Sequence, residues 1–249
     1  MPKHAYHGSL SVVVPVRNEQ DAVTPLMREI VAALSGTADF EILCIDDGSS
    51  DATHARLLQL AAELPMLRTI RHRMPCGQSC AVTTGVNAAR NEWIVTLDGD
   101  GQNDPADIPT LLDKLADPVQ PENLELVAGW RTRRNDPFIR RLSSKIANGV
   151  RSRMLRDNTP DTGCGLKLFA RETFLALPNF DHMHRFLPAL VLRNGGAVIS
   201  VPVKHRPRES GRSKYGIHNR LWVGIVDLFG VAWLQRRMRR PVVEPDFGR

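Results

Sequence analysis

The sequence predicts an α/β domain with a mostly parallel central sheet that helices cover on both faces. Short apolar runs rich in β-branched residues alternate with segments of helical periodicity, the order of right-handed βαβ units. The strand-like runs are apolar throughout, as in strands that are buried on both faces. The 249 residues, 42% hydrophobic and 24% charged, suffice for a substantial core and are typical of a globular chain.

Strands and helices are predicted in strict alternation. The predicted strands cover residues 10–16, 40–45, 67–71, 93–97 and 124–129. The predicted helices cover residues 19–34, 51–64, 77–89 and 108–115. The first helix is identified by apolar residues at helical spacing and ends at Gly36, whereas Ser50 or Asp51 is the expected N-cap of the second.

Acidic residues follow three of the predicted strands. Glu19, the pair Asp46 and Asp47, and the pair Asp98 and Asp100 all fall where parallel strands end. In open α/β sheets ligands bind beyond the carboxyl ends of the strands. Two carboxylates one residue apart can share a Mg²⁺ or Mn²⁺ ion, although an isolated Asp-X-Asp is more often an acidic turn that caps a helix.

Several classes of function are excluded or disfavoured. The chain lacks the Gly-x-Gly-x-x-Gly fingerprint after its first strand, the phosphate-binding loop and the Gly-x-Ser-x-Gly elbow, which argues against dehydrogenases, P-loop enzymes and serine hydrolases. Its four cysteines suit free thiols in a reduced cytosolic protein, because Cys76 and Cys80 have no partner pair at zinc-site spacing. We expect neither a signal peptide nor a membrane span.

The positive charge is concentrated in two blocks. Residues 131–156 and 204–240 each carry a net charge of +8, while the remainder carries −10. Such blocks attract polyanions, an anionic membrane surface or phosphorylated substrates, although two solvated helix faces would give the same pattern. Nucleic acid is not an expected partner, because the blocks lack interleaved aromatic residues and any helix-turn-helix or finger spacing.

Six motifs in order carry a resemblance to a known family. They are PVRNE at 15–19, IDDGSSDAT at 45–53, LDGDGQ at 97–102, GWR at 129–131, DTGCGLK at 161–167 and RPRESGRSKY at 206–215. In this the chain resembles family 2 glycosyltransferases of GT-A fold. The closest similarity is to the branch that transfers sugars to polyprenyl phosphates, which includes dolichol-phosphate mannosyl and glucosyl synthases and undecaprenyl-phosphate sugar transferases.

The resemblance implies a role for each matching residue. Those expected to bind the nucleotide-sugar are Pro15, Arg17, Glu19, Asp46, Asp47, Gln78, Asp98, Gly99 and Lys214. Asp100 and Gln102 would hold Mg²⁺ or Mn²⁺. The expected ligands of the acceptor phosphate are Arg131, Arg141, Ser143 and Arg206. The residues expected to act directly in catalysis are Asp98, Asp100, Arg131 and Arg206, and Asp161 is expected to be a carboxylate of the acceptor loop.

The implied activity is inverting, metal-dependent transfer of a sugar from a UDP- or GDP-sugar to undecaprenyl or dolichyl phosphate at the cytoplasmic membrane face. A lipid phosphate is already anionic at neutral pH and attacks without a general base. Two alternatives stay open: a transferase that acts on a hydroxyl of a glycan or lipid, for which Asp161 would be the base, and a non-catalytic nucleotide-sugar-binding subunit of a membrane complex.

The C-terminal segment is predicted to meet the membrane without crossing it. We divide the chain into a transferase domain at 8–216, an amphipathic helix at 217–240 and a tail at 241–249. Residues 221–234 are apolar apart from Asp227, carry Trp222 and Trp233, and are followed by four arginines. This pattern is typical of an interfacial helix on an anionic membrane surface. The alternatives are a buried helix that closes the core and a docking surface for a membrane protein or a second copy.

Overall fold

The computed structural model describes residues 6, 8–132, 149–207 and 217–239, and for 217–222 it describes the backbone alone. In these segments the strands are β1 (Ser9–Val16), β2 (Asp39–Asp46), β3 (Leu67–Arg71), β4 (Trp93–Thr96), β5 (Leu124–Arg131), β6 (Lys167–Ala170) and β7 (Ala197–Val203). The helices are α1 (Val23–Leu34), α2 (Thr53–Glu63), α3 (Gln78–Ala88), α4 (Ile108–Leu115), α5 (149–155), α6 (Arg171–Leu175), α7 (Leu187–Arg193) and α8 (Ile217–Arg237).

The predicted elements are present, with small shifts at their ends. Helix α1 begins at Val23 and not at Glu19, because residues 19–22 form a turn in which the Glu19 carbonyl accepts the amides of Ala22 and Val23. Helix α2 begins at Thr53, and the predicted cap Asp51 accepts the Thr53 amide at 3.0 Å from just outside the helix. The helical periodicity and cap chemistry therefore located both helices to within one turn.

One seven-stranded sheet orders these elements as β3-β2-β1-β4-β6-β5-β7. Strands β1 to β4 pair in parallel, and so do β5 and β7. Strand β6 is antiparallel to both of its neighbours, β4 and β5. The predicted mostly parallel α/β fold is confirmed, while β6 and β7 had not been predicted. Strand β6 has only four residues, too few to give a clear pattern in the sequence.

Helices cover both faces of the sheet, and the strand residues alternate between two apolar cores. Val12 and Val14 of β1 belong to the core that includes residues of α1, α2 and α4, whereas Val13 belongs to the opposite core with residues of α3 and α7. All three valines are fully buried. This alternation explains why β1 is continuously apolar, since both of its faces are covered.

The parallel register brings the polar strand ends to one edge. Val16 at the end of β1 lies opposite Asp46 at the end of β2, and Val13 lies opposite Thr96 at the end of β4. The segments that carry Glu19, Asp47 and Asp98 therefore leave the sheet side by side. The parallel pairing of the strands therefore places the predicted acidic residues at one edge of the sheet.

Helix α8 packs on the domain with one side and exposes apolar groups on another. Val231 and Ala232 are buried in the second core, whereas Val226, Phe229 and Trp233 are 58–67% exposed. Across the residues that the structure describes, no helix is both long and apolar enough to cross a membrane. The burial of Val231 and Ala232 agrees with the alternative of a helix that closes the core, while contact with a membrane stays a prediction.

The close packing of α3 on β1 gives a test of this fold. A Cβ at Gly85 would overlap a methyl of Val13, so we expect Gly85→Ala to lower the free energy of unfolding by about 1–3 kcal/mol. Gly224→Ala in α8 is the matched control, because a Cβ there meets no atom within 4 Å and alanine favours helix. Urea unfolding of both variants measures the difference, and equal stabilities would contradict the packing of α3.

Candidate active site

Asp98 lies immediately after β4, at the centre of the polar edge. Its Oδ1 accepts a hydrogen bond from Gln78 Nε2 at 2.7 Å, and its backbone amide donates to Asn103 Oδ1 at 3.2 Å. A side chain at Gly165 would overlap the Asp98 carboxyl group, so that glycine permits the close approach of residues 161–165 to Asp98. Burial, and then the negative charge of Asp100, raise the pKa of Asp98. The site therefore holds a carboxylate pair whose charges repel.

Asp100 and Gln102 lie in the turn that follows. Asp100 Oδ1 accepts the Gln102 backbone amide at 3.2 Å. Gly99, between the two aspartates, packs against the end of β1, where an added Cβ would lie 2.7 Å from the Pro15 carbonyl oxygen. Any larger residue at position 99 would push the aspartates away from the sheet. Two carboxylates and an amide oxygen form a hard, oxygen-rich set of groups suited to Mg²⁺ or Mn²⁺.

Lys167 is a buried cation that the sequence analysis did not select. It is 3% exposed and donates to the backbone carbonyls of Thr162, at 3.2 Å, and Cys164. Burial lowers the pKa of its ammonium group, while the Cys164 thiol and the Asp98 carboxylate act in the opposite direction. Lys167 and Asp98 line the same small cavity, together with Pro15 and Gln78. Lys167 is the last residue of the DTGCGLK motif, but its burial beside Asp98 depends on the antiparallel pairing of β6, which the sequence did not predict.

Arg131 and Asp161 form a fork-to-fork ion pair. Arg131 Nε donates to Asp161 Oδ2 at 2.6 Å and Nη2 donates to Oδ1 at 2.9 Å, while the Arg131 amide adds a third bond at 3.2 Å. Asp161 is 5% exposed. Burial would lower the pKa of Arg131, but the hydrogen bonds and charge of Asp161 outweigh it, so that pKa is raised. Both oxygens of Asp161 thus hold a guanidinium group.

Arg206 lies at the other side of the Asp98–Gln102 turn. Its Nη1 donates to Glu29 Oε2 at 2.6 Å, its Nη2 donates to Asp104 Oδ1 at 2.7 Å, and its amide donates to the Gln102 carbonyl at 2.9 Å. Arg206 and Asp100 line one cavity of about 90 Å³. Glu29 and Asp104, which were not among the predicted site residues, hold this arginine beside the Asp98–Gln102 turn.

The two aspartates at the end of β2, Asp46 and Asp47, are engaged within the protein. Asp46 is fully buried and its Oδ1 accepts the Ser49 amide at 2.9 Å. Asp47 accepts the amides of Cys76 at 2.7 Å and Gly77 at 2.9 Å, and its Oδ1 lies 2.8 Å from His72 Nδ1. A carboxylate offers about four acceptor positions, so one position on Oδ2 of Asp47 is left for a ligand.

The other predicted nucleotide ligands frame the same edge. Arg17 is exposed, and Pro15 is partly buried. Glu19 is 9% exposed, and its amide donates to Thr53 Oγ1 at 2.9 Å. Lys214, Arg141 and Ser143 lie outside the described residues. The structure therefore brings Pro15, Gln78, Asp98, Gly99 and Asp100 together, while their roles stay predictions.

Comparison with known proteins shows the class to which this fold and site belong. The family model for glycosyl transferase family 2 matches residues 11–177, more than half of the chain. The chain therefore belongs to glycosyl transferase family 2. This finding confirms the resemblance drawn from the six motifs and identifies the chain as a glycosyltransferase.

Its relatives are polyprenyl-phosphate sugar transferases. Dodecaprenyl-phosphate galacturonate synthase of Rhizobium johnstonii is 37% identical over 93% of the chain and 69% of the relative. Undecaprenyl-phosphate 4-deoxy-4-formamido-L-arabinose transferase of Edwardsiella ictaluri is 35% identical over 84% of the chain and 63% of the relative. The chain thus spans about two thirds of the length of these relatives.

A solved structure supports the fold. Glucosyl-3-phosphoglycerate synthase of Mycobacterium tuberculosis, in complex with Mn²⁺, UDP-glucose and glycerol 3-phosphate, superposes with a TM-score of 0.70 at 17% identity. The match covers 93% of this chain and 81% of that one. The predicted GT-A fold class is confirmed by this likeness and the family match.

The repulsion at Asp98 predicts a gain in stability when its charge is removed. Because the pKa of Asp98 is raised by folding, its ionised form costs stability, and this cost appears as the pH rises through the folded pKa. Asp98→Asn keeps an oxygen for Gln78, so we expect it to raise the melting temperature at neutral pH, with the gain vanishing in acid. Thermal melts across pH measure this.

Asp113→Asn on α4 is the control, because Asp113 lies outside the Asp98–Gln102 turn. It should change the melting temperature little at any pH. A lower stability of Asp98→Asn than of the unmodified chain at neutral pH would contradict the repulsion.

Proposed function

We propose that the chain transfers a sugar, with inversion, from a UDP- or GDP-sugar to a polyprenyl phosphate at the cytoplasmic face of a membrane. The observation that carries the proposal is the Arg131–Asp161 pair, which offers a cation near Asp98 and occupies both oxygens of the acceptor-loop carboxylate. A phosphate acceptor needs the cation and no base, whereas a hydroxyl acceptor needs the base. The names of the relatives point to the same acceptor class.

The reaction requires few steps from the protein. A phosphate oxygen of the acceptor forms a bond to the anomeric carbon, and the bond from that carbon to the nucleoside diphosphate breaks with its electron pair on the leaving oxygen. A single displacement inverts the configuration. Arg131 and Lys167 supply positive charge next to Asp98, and Arg206 supplies it beside Asp100. Such fixed cations offset the repulsion between two phosphate-bearing substrates.

The carboxylate pair fits a divalent cation. Burial, and then the negative charge of Asp100, raise the pKa of Asp98, so its ionised form is not fully compensated in the folded protein. Asp100 and Gln102 would hold Mg²⁺ or Mn²⁺, and the cation supplies charge neutralisation for the diphosphate when bound. The structural relative with UDP-glucose contains Mn²⁺. Asp98 and Gln78 would orient the donor next to it.

The exposed side of α8 supports a membrane location. Val226, Phe229 and Trp233 recur at helical spacing on one side, and Arg237 lies over the Trp233 ring at 5.9 Å. Arg236 and Arg239 follow directly. An apolar stripe with adjoining arginines is typical of a helix that lies in the interface of an anionic bilayer. We propose this surface, and not a protein partner or a second copy, as the site of attachment.

The acceptor class is tested by offering the full-length protein undecaprenyl phosphate or undecaprenol with a panel of UDP- and GDP-sugars and Mn²⁺. We expect transfer to the phosphate alone. Asp161→Asn should slow transfer by about 10²-fold or less, because it loosens Arg131 without removing a base. Asp161→Asn and Arg131→Ala together should cost no more than Arg131→Ala alone.

Two results would contradict this account of the reaction. Transfer to undecaprenol that Asp161→Asn abolishes would favour the hydroxyl transferase. Absence of turnover with every donor would favour a non-catalytic binding subunit. Asp113→Asn is again the matched control for a change of charge outside the site.

Membrane attachment is tested by sedimentation with vesicles that contain anionic phospholipid. We expect the full-length protein to bind at low salt, and salt to weaken the arginine contribution, about 1 kcal/mol per residue. Phe229→Ser with Trp233→Ser should release it, whereas Leu58→Ser, at a leucine 53% exposed on α2, should not. Equal sedimentation of both variants would contradict the proposal. Thermal melts verify that each variant is folded.

A further inference from the structure

A histidine and two cysteines converge beside the carboxyl edge of the sheet. His72 follows β3, Cys76 lies in the turn before α3, and Cys80 lies in the first turn of α3. One potential ligand atom of each residue lies within 4.8 Å of the others. Both thiols are free, Cys76 is exposed and Cys80 is partly buried. The cluster is therefore open to solvent on one side.

Both ring nitrogens of His72 have a hydrogen-bond partner, and the nitrogen that faces Thr84 is the one that a metal could take in exchange. Nδ1 lies 2.8 Å from Asp47 Oδ1, and Nε2 lies 2.9 Å from Thr84 Oγ1. The carboxylate of Asp47 accepts, so we assign the ring proton to Nδ1 and the lone pair to Nε2. That lone pair accepts the Thr84 hydroxyl, so a cation would displace this hydrogen bond. A histidine whose other nitrogen donates to a carboxylate is the usual arrangement at zinc sites, because the carboxylate fixes the ring and strengthens the ligand.

The turn that carries Cys76 is held by the same carboxylate. Asp47 accepts the amides of Cys76 and Gly77, and Gly77 has a φ of +90°, which favours glycine. The backbone of Cys76 is thereby held near His72 through Asp47, whereas its thiol donates to the Met74 carbonyl at 3.3 Å, a contact that metal binding would replace. The fixed turn and ring lower the conformational entropy that a cation would have to overcome.

The spacing of the three groups fits a tetrahedral ion after small side-chain rotations. Zinc–sulfur and zinc–nitrogen bonds of about 2.3 and 2.0 Å place ligand atoms roughly 3.5–3.8 Å apart. One ring nitrogen of His72 and the two sulfurs lie at most 4.8 Å apart, so the separations exceed this by about 1 Å at most. One nitrogen and two sulfurs form a soft set of ligands, unlike the oxygen groups of Asp98 and Asp100.

We propose that His72 Nε2 and the sulfurs of Cys76 and Cys80 bind one Zn²⁺-class cation, with water as the fourth ligand. Binding releases the two thiol protons to solvent, so the thiolates balance the charge of the cation. The ion joins the end of β3 to the start of α3. Helix α3 carries Gln78, which donates a hydrogen bond to Asp98, and Asp47 contacts both His72 and the turn. A bound metal ion would therefore make this side of the cleft more rigid.

The sequence alone predicts free thiols at Cys76 and Cys80, because no second pair of ligands stands at standard zinc-site spacing. His72, Cys76 and Cys80 are each four residues apart, and only the turn from β3 into α3 brings the histidine to the thiols. The inference does not depend on the proposed sugar transfer.

The test uses the full-length protein, reduced and freed of metal, titrated with Co²⁺ and then with Zn²⁺. We expect one equivalent of Co²⁺ to give thiolate-to-cobalt charge-transfer absorption, which one equivalent of Zn²⁺ removes. Zn²⁺ should also raise the melting temperature. Cys76→Ser and Cys80→Ala should each abolish the stoichiometric absorption, and Cys44→Ala, at a buried cysteine in β2, should retain it.

Three outcomes would overturn the proposal: absence of a one-to-one complex at micromolar metal, equal binding by Cys76→Ser and the unmodified chain, or loss of binding in Cys44→Ala alone. His72→Gln provides a second check, since it should weaken binding while leaving the thiolate absorption at saturating Co²⁺. The readout is spectroscopic, so it is independent of whether the protein transfers a sugar.

Discussion

The burial of Asp98 beside the negative charge of Asp100, at the end of β4, is the constraint on which the site depends. Asp98 and Asp100 are one residue apart, and burial intensifies their interaction. Tight contacts hold the two aspartates there. Gly99 packs on β1, and Gly165 allows residues 161–165 to approach Asp98. Gln78 donates a hydrogen bond to the Asp98 carboxylate. Two carboxylates held close together in this way favour the binding of a cation.

The surrounding cations compensate that charge in part, and each is held by other groups. Asp161 fixes Arg131, the carbonyls of Thr162 and Cys164 fix Lys167, and Glu29 with Asp104 fixes Arg206. An arginine whose position is fixed before substrate arrives stabilises developing charge without reorganisation. The segment that carries Asp161 must therefore fold correctly for Arg131 to take the position that the proposed reaction requires.

The sequence predicted the βαβ succession because local periodicity, caps and apolar runs determine those elements. It predicted the edge at which Asp47 and Asp98 meet because parallel strands end together. It did not predict β6, the burial of Lys167 or the approach of His72 to Cys76 and Cys80. These features arise from pairings between segments far apart in the chain or from the path of a turn, and neither leaves a periodic signal in the sequence.

The most direct measurement is the affinity for UDP and GDP, by calorimetry, with Mn²⁺ or with a chelator, for the unmodified chain and Asp100→Asn. If the carboxylate pair binds the diphosphate through a cation, one of the nucleotides binds tightly with Mn²⁺ and weakly with chelator, and Asp100→Asn removes that difference. Equal affinity of the unmodified chain under both conditions would contradict the account.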